Sequence, residues 1–337
     1  MYILDDPIRQ FTSRIYSHRS AWARTQRCML LDCGYDVQMS FGDLDLVSPD
    51  DTFIWSHGME FIDSYNIAGG YQEQHSERLR KILTFKKILV MEKPLPLQMV
   101  VDLRKRASKT DFDLTDAEWF ALEDLTRTSR WAKHVDILTP TKTRRVVLGD
   151  SHSIARYRSN TLILRNDGLT LHGLLNRDIP TMLKDAGVTT PIDRLVIQAG
   201  NIDIRHHLMR QVDPRGSAEK LIEDLAAQLN RVLSAGLANA VEVTAPYPIE
   251  FEGRKIPKAG GYYKGTPFFG SWAERNDLRA FITDLMLETF HNVKMWPDEW
   301  FEMDPQEYAE TCMEKPQSVH LSPAMYEWDL ERNVARA

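Results

Sequence analysis

The sequence predicts an α/β protein whose larger part is a three-layer domain built on a parallel sheet, preceded by a second, smaller α/β unit. Two observations carry that prediction. Short apolar runs without alternation, such as Val146-Val147-Leu148 and Leu195-Val196-Ile197, read as strands buried on both faces. Helical stretches lie between such runs, so strands and helices alternate along the chain.

In the first half, a helix is expected from about Arg9 to Leu31, ending near Gly34, followed by a strand at Tyr35 to Met39. Thr52 to Gly58 reads as a strand closing on the polar Ser56-His57, with Gly69-Gly70 in the loop beyond and a helix near Ser76 to Leu83. His57 is a candidate ligand contact at a sheet edge, or a local hydrogen-bonding residue. Lys87 to Glu92 is a third strand, Leu97 to Ala107 a helix, and Asp111 to Arg130 an acidic, aromatic helix. The boundary between units falls near Pro140, giving an amino-terminal α/β domain over 1–140 and a second domain over 141–337. No Gly-x-Gly-x-x-Gly or P-loop occurs in this half, so nucleotide chemistry has no direct support there.

Composition narrows the function classes. A chain of 337 residues, 43% hydrophobic and 27% charged, has room for a sizeable core. A formal charge of -6 argues against nucleic-acid binding by bulk electrostatics. The basic residues around 142–158 leave a local nucleic-acid or phosphate contact open, although a solvated surface is the reading they favour. Cys28, Cys33 and Cys312 fit neither a disulfide framework nor paired metal-ligand spacing. With charges throughout the first nineteen residues and no apolar span, the expectation is a cytoplasmic protein with no membrane contact and no cofactor or metal. The oligomeric state is left open.

The chemistry-bearing stretches lie in the second half. Val146-Val147-Leu148 runs into Gly149-Asp150-Ser151-His152, which exposes a hydroxyl at a strand's carboxyl end or caps the next helix. Gly168, in the turn Asn166 to Thr170, is a backbone donor with no side chain in the way, or a plain turn glycine. After Gly200 the expectation is an extended chain, with Asn201, Asp203 and Arg205 on one face and Ile202 and Ile204 on the other. An Asp203–Arg205 ion pair of purely structural role is the alternative. His206 and His207 invite a metal reading, which neighbouring histidines on a strand oppose by pointing to opposite sides.

Further helices are expected at Ser217 to Gly236 and Asn276 to His291, and strands at Ala240 to Pro246 and Val293 to Trp296. Trp300 to Cys312 is acidic and helical. The aromatic, Gly-rich stretch from Pro248 to Trp272 reads as a lid, a binding surface or a packed flap. His320 stands in a loop before Ser322-Pro323, placed to reach back to Ser151 as general base.

Taken together, Gly149-Asp150-Ser151, Gly168, Gly200-Asn201-Ile202-Asp203 and Val319-His320-Leu321-Ser322 resemble the four ordered blocks of the SGNH (GDSL-like) hydrolase superfamily, in a Gly-Asp-Ser-His variant. The resemblance covers about residues 145 to 328. It implies a flavodoxin-like three-layer domain, Ser151 as nucleophile, His320 as base, and oxyanion donors from the Ser151 and Gly168 N–H groups plus a side chain. The chain departs from the family at two places: Ile202 stands where the family has asparagine, which here is Asn201, and Gln317 stands where it has aspartate. Glu314, another carboxylate, or a Ser-His dyad would have to stand in.

The function so implied is a serine-dependent acyl-ester hydrolase or acyltransferase on a polar, carbohydrate-like ester. Ser151, His320, Gly168, Asn201 and Asp203 form its catalytic set, and His152, Arg205 and His206 are its substrate contacts. Two other classes stay open: a transferase using a nucleotide-linked donor between the two α/β units, and a catalytically degenerate binding protein.

Overall fold

The computed structural model describes residues 1–5, 18–55, 72–90, 113–128, 143–166, 168–249, 269–314 and 318–326. His57, the helix expected over 97–107, Gln317 and nearly all of the stretch expected to be a lid lie outside them. Two compact units divide the chain, one over Met1–Lys142 and one over Thr143–Trp328.

The first unit holds a sheet of four parallel strands: β1 (Tyr2–Leu4), β2 (Val37–Met39), β3 (Thr52–Trp55) and β4 (Ile88–Val90), in the order β2-β1-β3-β4. Its described helices are α1 (His18–Asp32), α2 (Gln72–Leu83) and α3 (Asp116–Thr128). Phe53 and Trp55 of β3 pack with Leu79 and Ile82 of α2 and Trp119 and Leu122 of α3. Strand β1 was not expected from the sequence. Three residues are too few to show a period, yet Ile3 and Leu4 are wholly buried at the middle of the sheet.

The second unit is built on five parallel strands: β5 (Arg145–Gly149), β6 (Thr161–Arg165), β7 (Arg194–Gln198), β8 (Val241–Thr244) and β9 (Val293–Lys294). Their order, β6-β5-β7-β8-β9, is the flavodoxin-like order 2-1-3-4-5. Residues 146–148, 162–164 and 195–197 are all buried, so the sheet is covered on both faces and forms a middle layer. The α/β class read from those runs is therefore the one observed.

Helices of the second unit are α4 (Leu171–Leu175), α5 (Ile179–Asp185), α6 (Asn201–His206), α7 (Pro214–Ser234), α8 (Trp272–Thr289), α9 (Glu299–Glu302) and α10 (Pro305–Thr311). In α7, Ala218, Ile222, Leu225, Leu229 and Val232 make one buried stripe at helical spacing. Its cap is Asp213, which accepts the Gly216 N–H, with Pro214 in the first turn; the expected Ser217 cap lies one turn inside. The single helix expected over 300–312 is broken into α9 and α10, where Asp304 caps a new start before Pro305.

The largest correction concerns the chain after β7. Residues 201–205 are not extended but helical, forming α6. Gly200 takes φ +125°, a conformation that L side chains resist, and this turns the chain straight from strand into helix. The alternation that placed Asn201, Asp203 and Arg205 on one face therefore does not hold.

Candidate functional site

In a doubly wound sheet the crevice opens at the carboxyl ends of the strands, where the strand order reverses. Here that place lies between β5, which ends at Gly149, and β7, which is followed by Ala199-Gly200. Gly149 is required by close approach: a Cβ on it would stand 2.1 Å from the Gln198 carbonyl oxygen. The next N–H, of Asp150, donates to that same oxygen at 2.9 Å. Asp150 then turns its carboxylate forward to accept the His152 N–H at 2.8 Å, capping a 3-10 turn over Ser151–Arg156. Ser151 is thus the first residue of a capped turn at the switch point, and its side chain lies against the next one: Oγ is 3.5 Å from His152 Nδ1.

His152 is held from several directions. Its Nε2 accepts the Leu321 N–H at 3.3 Å, and its Nδ1 lies 3.3 Å from the Tyr247 hydroxyl and 3.6 Å from Asp150 Oδ1. A peptide N–H can only donate, so Nε2 must carry a lone pair and the ring proton of the neutral imidazole belongs on Nδ1. Nδ1 therefore faces Ser151, Tyr247 and Asp150 as a donor. In this tautomer His152 cannot accept the Ser151 proton.

The carboxy-terminal loop brings His320 to the same place. Its ring centroid is 5.5 Å from that of His152. The loop is closed on itself: the Glu314 N–H donates to the His320 carbonyl at 2.8 Å, the Ser322 N–H to the Cys312 carbonyl at 2.8 Å, and the His320 N–H to Ser318 Oγ at 3.0 Å. This fold-back carries the Glu314 carboxylate to 3.9 Å from His320 Nδ1, with the Ser318 hydroxyl donating to Glu314 at 3.5 Å. The carboxylate near the imidazole comes from six residues upstream, a spacing that a loop closing by backbone bonds makes possible. The antiparallel bridge Met313–Leu321 is part of the same fold-back that sets Glu314 beside His320.

The remaining candidates have separate engagements. Asn201 Nδ2 donates to the Tyr247 carbonyl at 3.0 Å and its Oδ1 accepts the Tyr247 N–H at 3.3 Å, so this amide staples the segment that follows β8. Asp203 accepts the Leu171 N–H at 2.6 Å and the His172 N–H at 3.1 Å, binding α6 to the start of α4. Burial pushes its carboxyl up to about 6, against the opposing pull of those backbone N–H groups. Gly168, at φ +75°, lies in the turn between β6 and α4 that Asp203 anchors. Arg205 and His206 are buried in α6. Among the described residues no group of three His, Cys, Asp or Glu side chains is arranged to hold a metal.

Tyr247 was missed by sequence reasoning. The only signal was an aromatic residue between Pro246 and Pro248 at a strand end, and its role depends on β8 lying beside β7. Its ring packs 4.7 Å from His152 and 5.9 Å from Trp296, whose Nε1 donates to the Ala245 carbonyl at 2.7 Å.

No family model and no curated protein matches the sequence. Among solved structures, a GDSL-like lipase from Bacteroides thetaiotaomicron aligns at 16% identity and TM-score 0.40, covering 61% of this chain and 94% of that one. A protein described as an acylhydrolase from Bacteroides fragilis aligns at 14% identity and TM-score 0.40, covering 61% and 93%. A protein described as a platelet activating factor from Streptococcus pneumonia aligns at 16% identity and TM-score 0.38, covering 61% and 88%. Among the described residues no helix is long and apolar enough to cross a membrane.

Proposed function

We propose that the second unit is a serine-dependent acyl-ester hydrolase or acyltransferase of SGNH type, with Ser151 as nucleophile, His320 as general base and Glu314 as the carboxylate behind it. One observation carries the reading: the hydroxyl of Ser151 and the imidazole of His320 flank the same His152 ring, at the switch point of the sheet. The tautomer of His152 favours His320 over its neighbour as the proton acceptor.

In this mechanism Ser151 Oγ attacks the acyl carbon while its proton passes to His320, and Glu314 stabilises the imidazolium that forms. At 3.9 Å the carboxylate acts by charge in the free protein, and such contacts shorten when substrate is bound. The N–H groups of Ser151 and Gly168 receive the oxyanion, and Asp203, through the amides of Leu171 and His172, holds the segment bearing Gly168 in place. His320 returns the proton to the departing alkoxide, and water or an acceptor hydroxyl then releases the acyl group from Ser151.

A polar ester suits this edge of the sheet. Asn166 Oδ1, Gln198 Oε1 and Thr244 Oγ1 are buried at or next to the carboxyl ends of β6, β7 and β8 and have no hydrogen-bond partner among the described residues.

The test is labelling by a fluorophosphonate together with turnover of p-nitrophenyl acetate. Ser151→Ala should abolish both, and His320→Ala should lower turnover by at least about 100-fold. Labelling that persists in Ser151→Ala would overturn the assignment.

A further inference from the structure

We propose that His152 is a positioning residue that clasps the loop bearing His320 over the nucleophile. The inference rests on the function proposed above but on different atoms. Three observations combine. His152 Nε2 accepts the N–H of Leu321, the residue directly after His320, across 169 positions of sequence. The opposite ring nitrogen lies 3.5 Å from the Ser151 hydroxyl. The ring itself is wedged between Tyr247 and His320, at centroid separations of 4.7 and 5.5 Å, and is only 2% exposed.

One rigid imidazole thus spans the distance between nucleophile and base loop. Its two nitrogens do different work: Nε2 fixes the loop, and Nδ1–H offers a hydrogen bond to Ser151, Tyr247 or Asp150. A donated hydrogen bond leaves the hydroxyl oxygen's own proton free to be taken by His320. Donation also keeps Ser151 from giving that proton to the wrong imidazole. The immediate sequence neighbour of the serine is the natural place for this device, because the 3-10 turn capped by Asp150 fixes both side chains together.

The two functions separate by substitution, since the end of a glutamine overlays the Nε2 position and the amide of an asparagine overlays Nδ1. His152→Gln keeps an acceptor for Leu321; His152→Asn keeps a donor beside Ser151 and leaves the Leu321 N–H with none. In the full-length protein, nitrogen-15 spectra of the His152 ring should show the proton on Nδ1, and the Leu321 amide should be protected from hydrogen exchange. That protection should survive in His152→Gln and vanish in His152→Asn. Fluorophosphonate labelling should fall by about 100-fold in His152→Asn, the scale of a misplacement of about 1 Å, and be at least about tenfold faster in His152→Gln, which keeps the loop contact and loses only the Nδ1 donor. A ring proton on Nε2, or equal Leu321 protection and labelling in the two variants, would overturn the clasp. A parent chain that shows the tautomer and the protection but takes no label would overturn the nucleophile assignment alone and leave the clasp standing.

Discussion

Asp5 of the first unit and Asp150 of the second occupy the same place in the same kind of sheet. Each follows the central first strand and donates its N–H at 2.9 Å to the last paired carbonyl of the third strand, of Ile54 or of Gln198. In each unit the residue after the second strand, Ser40 or Asn166, donates its N–H at 2.9 Å to the carbonyl just before that aspartate. Beyond the backbone they diverge. The Asp5 carboxylate accepts the Ser40 hydroxyl at 2.8 Å and pairs with the buried guanidinium of Arg78, whose Nη1 also donates to the Gly42 carbonyl at 2.7 Å. The Asp150 carboxylate instead caps the turn that follows it and sets Ser151 at its head. One aspartate locks its strand ends together and the other presents a hydroxyl. An open α/β sheet supplies the position, while the next side chain and its partners decide whether that position is filled by an ion pair or headed by a hydroxyl.

The largest break in this comparison is expected from Asp5→Ala. Removing the carboxylate strands a guanidinium that is 7% exposed, and destabilisation of about 3–5 kcal/mol should appear in urea unfolding followed by the fluorescence of the first unit's tryptophans. A loss below about 1 kcal/mol would show that Arg78 finds water or another acceptor. Next in size is Gly149→Ala. The obstructing atom is a backbone oxygen in the neighbouring strand, so β5 and β7 must separate, at a cost of about 3 kcal/mol and with loss of fluorophosphonate labelling. In the first unit the matching position is already Leu4, whose side chain is accommodated in the core.

The smallest effect is a slope with pH. Asp203, like Asp5, is a buried carboxylate, but it accepts the peptide N–H groups of Leu171 and His172 where Asp5 pairs with a guanidinium. With its carboxyl raised to about 6, the folded chain keeps a proton that the unfolded chain releases near its ordinary value of about 4. This group's contribution to stability therefore falls as pH rises from about 4 to about 6 and is flat above. Asp203→Asn should remove that part of the slope in thermal melts taken across this range; an unchanged slope would reject the assignment.

Much of this arrangement was legible in the residues. Unbroken apolar runs marked β5 and β7, because a strand covered on both faces has no reason to alternate. Ser151 and His320 stood out as a hydroxyl at a strand end and an imidazole in a late loop. What failed was local in cause. Asn201 to Arg205 alternates polar and apolar residues as a strand would, yet Gly200 sends it into a helix whose Asn201 and Asp203 side chains are engaged by the backbones of Tyr247, Leu171 and His172. Strand β1 was too short to leave a pattern.

The sequence by itself determined the class of fold and the serine and histidine placed at the candidate site, since apolar periodicity and strand-end chemistry are properties of neighbouring residues. Only the tertiary structure decided that Glu314 stands behind His320 and that His152 joins the serine turn to the tail loop. Those contacts are made by segments far apart in the chain, and the hydrogen bonds that select them have no counterpart in local sequence.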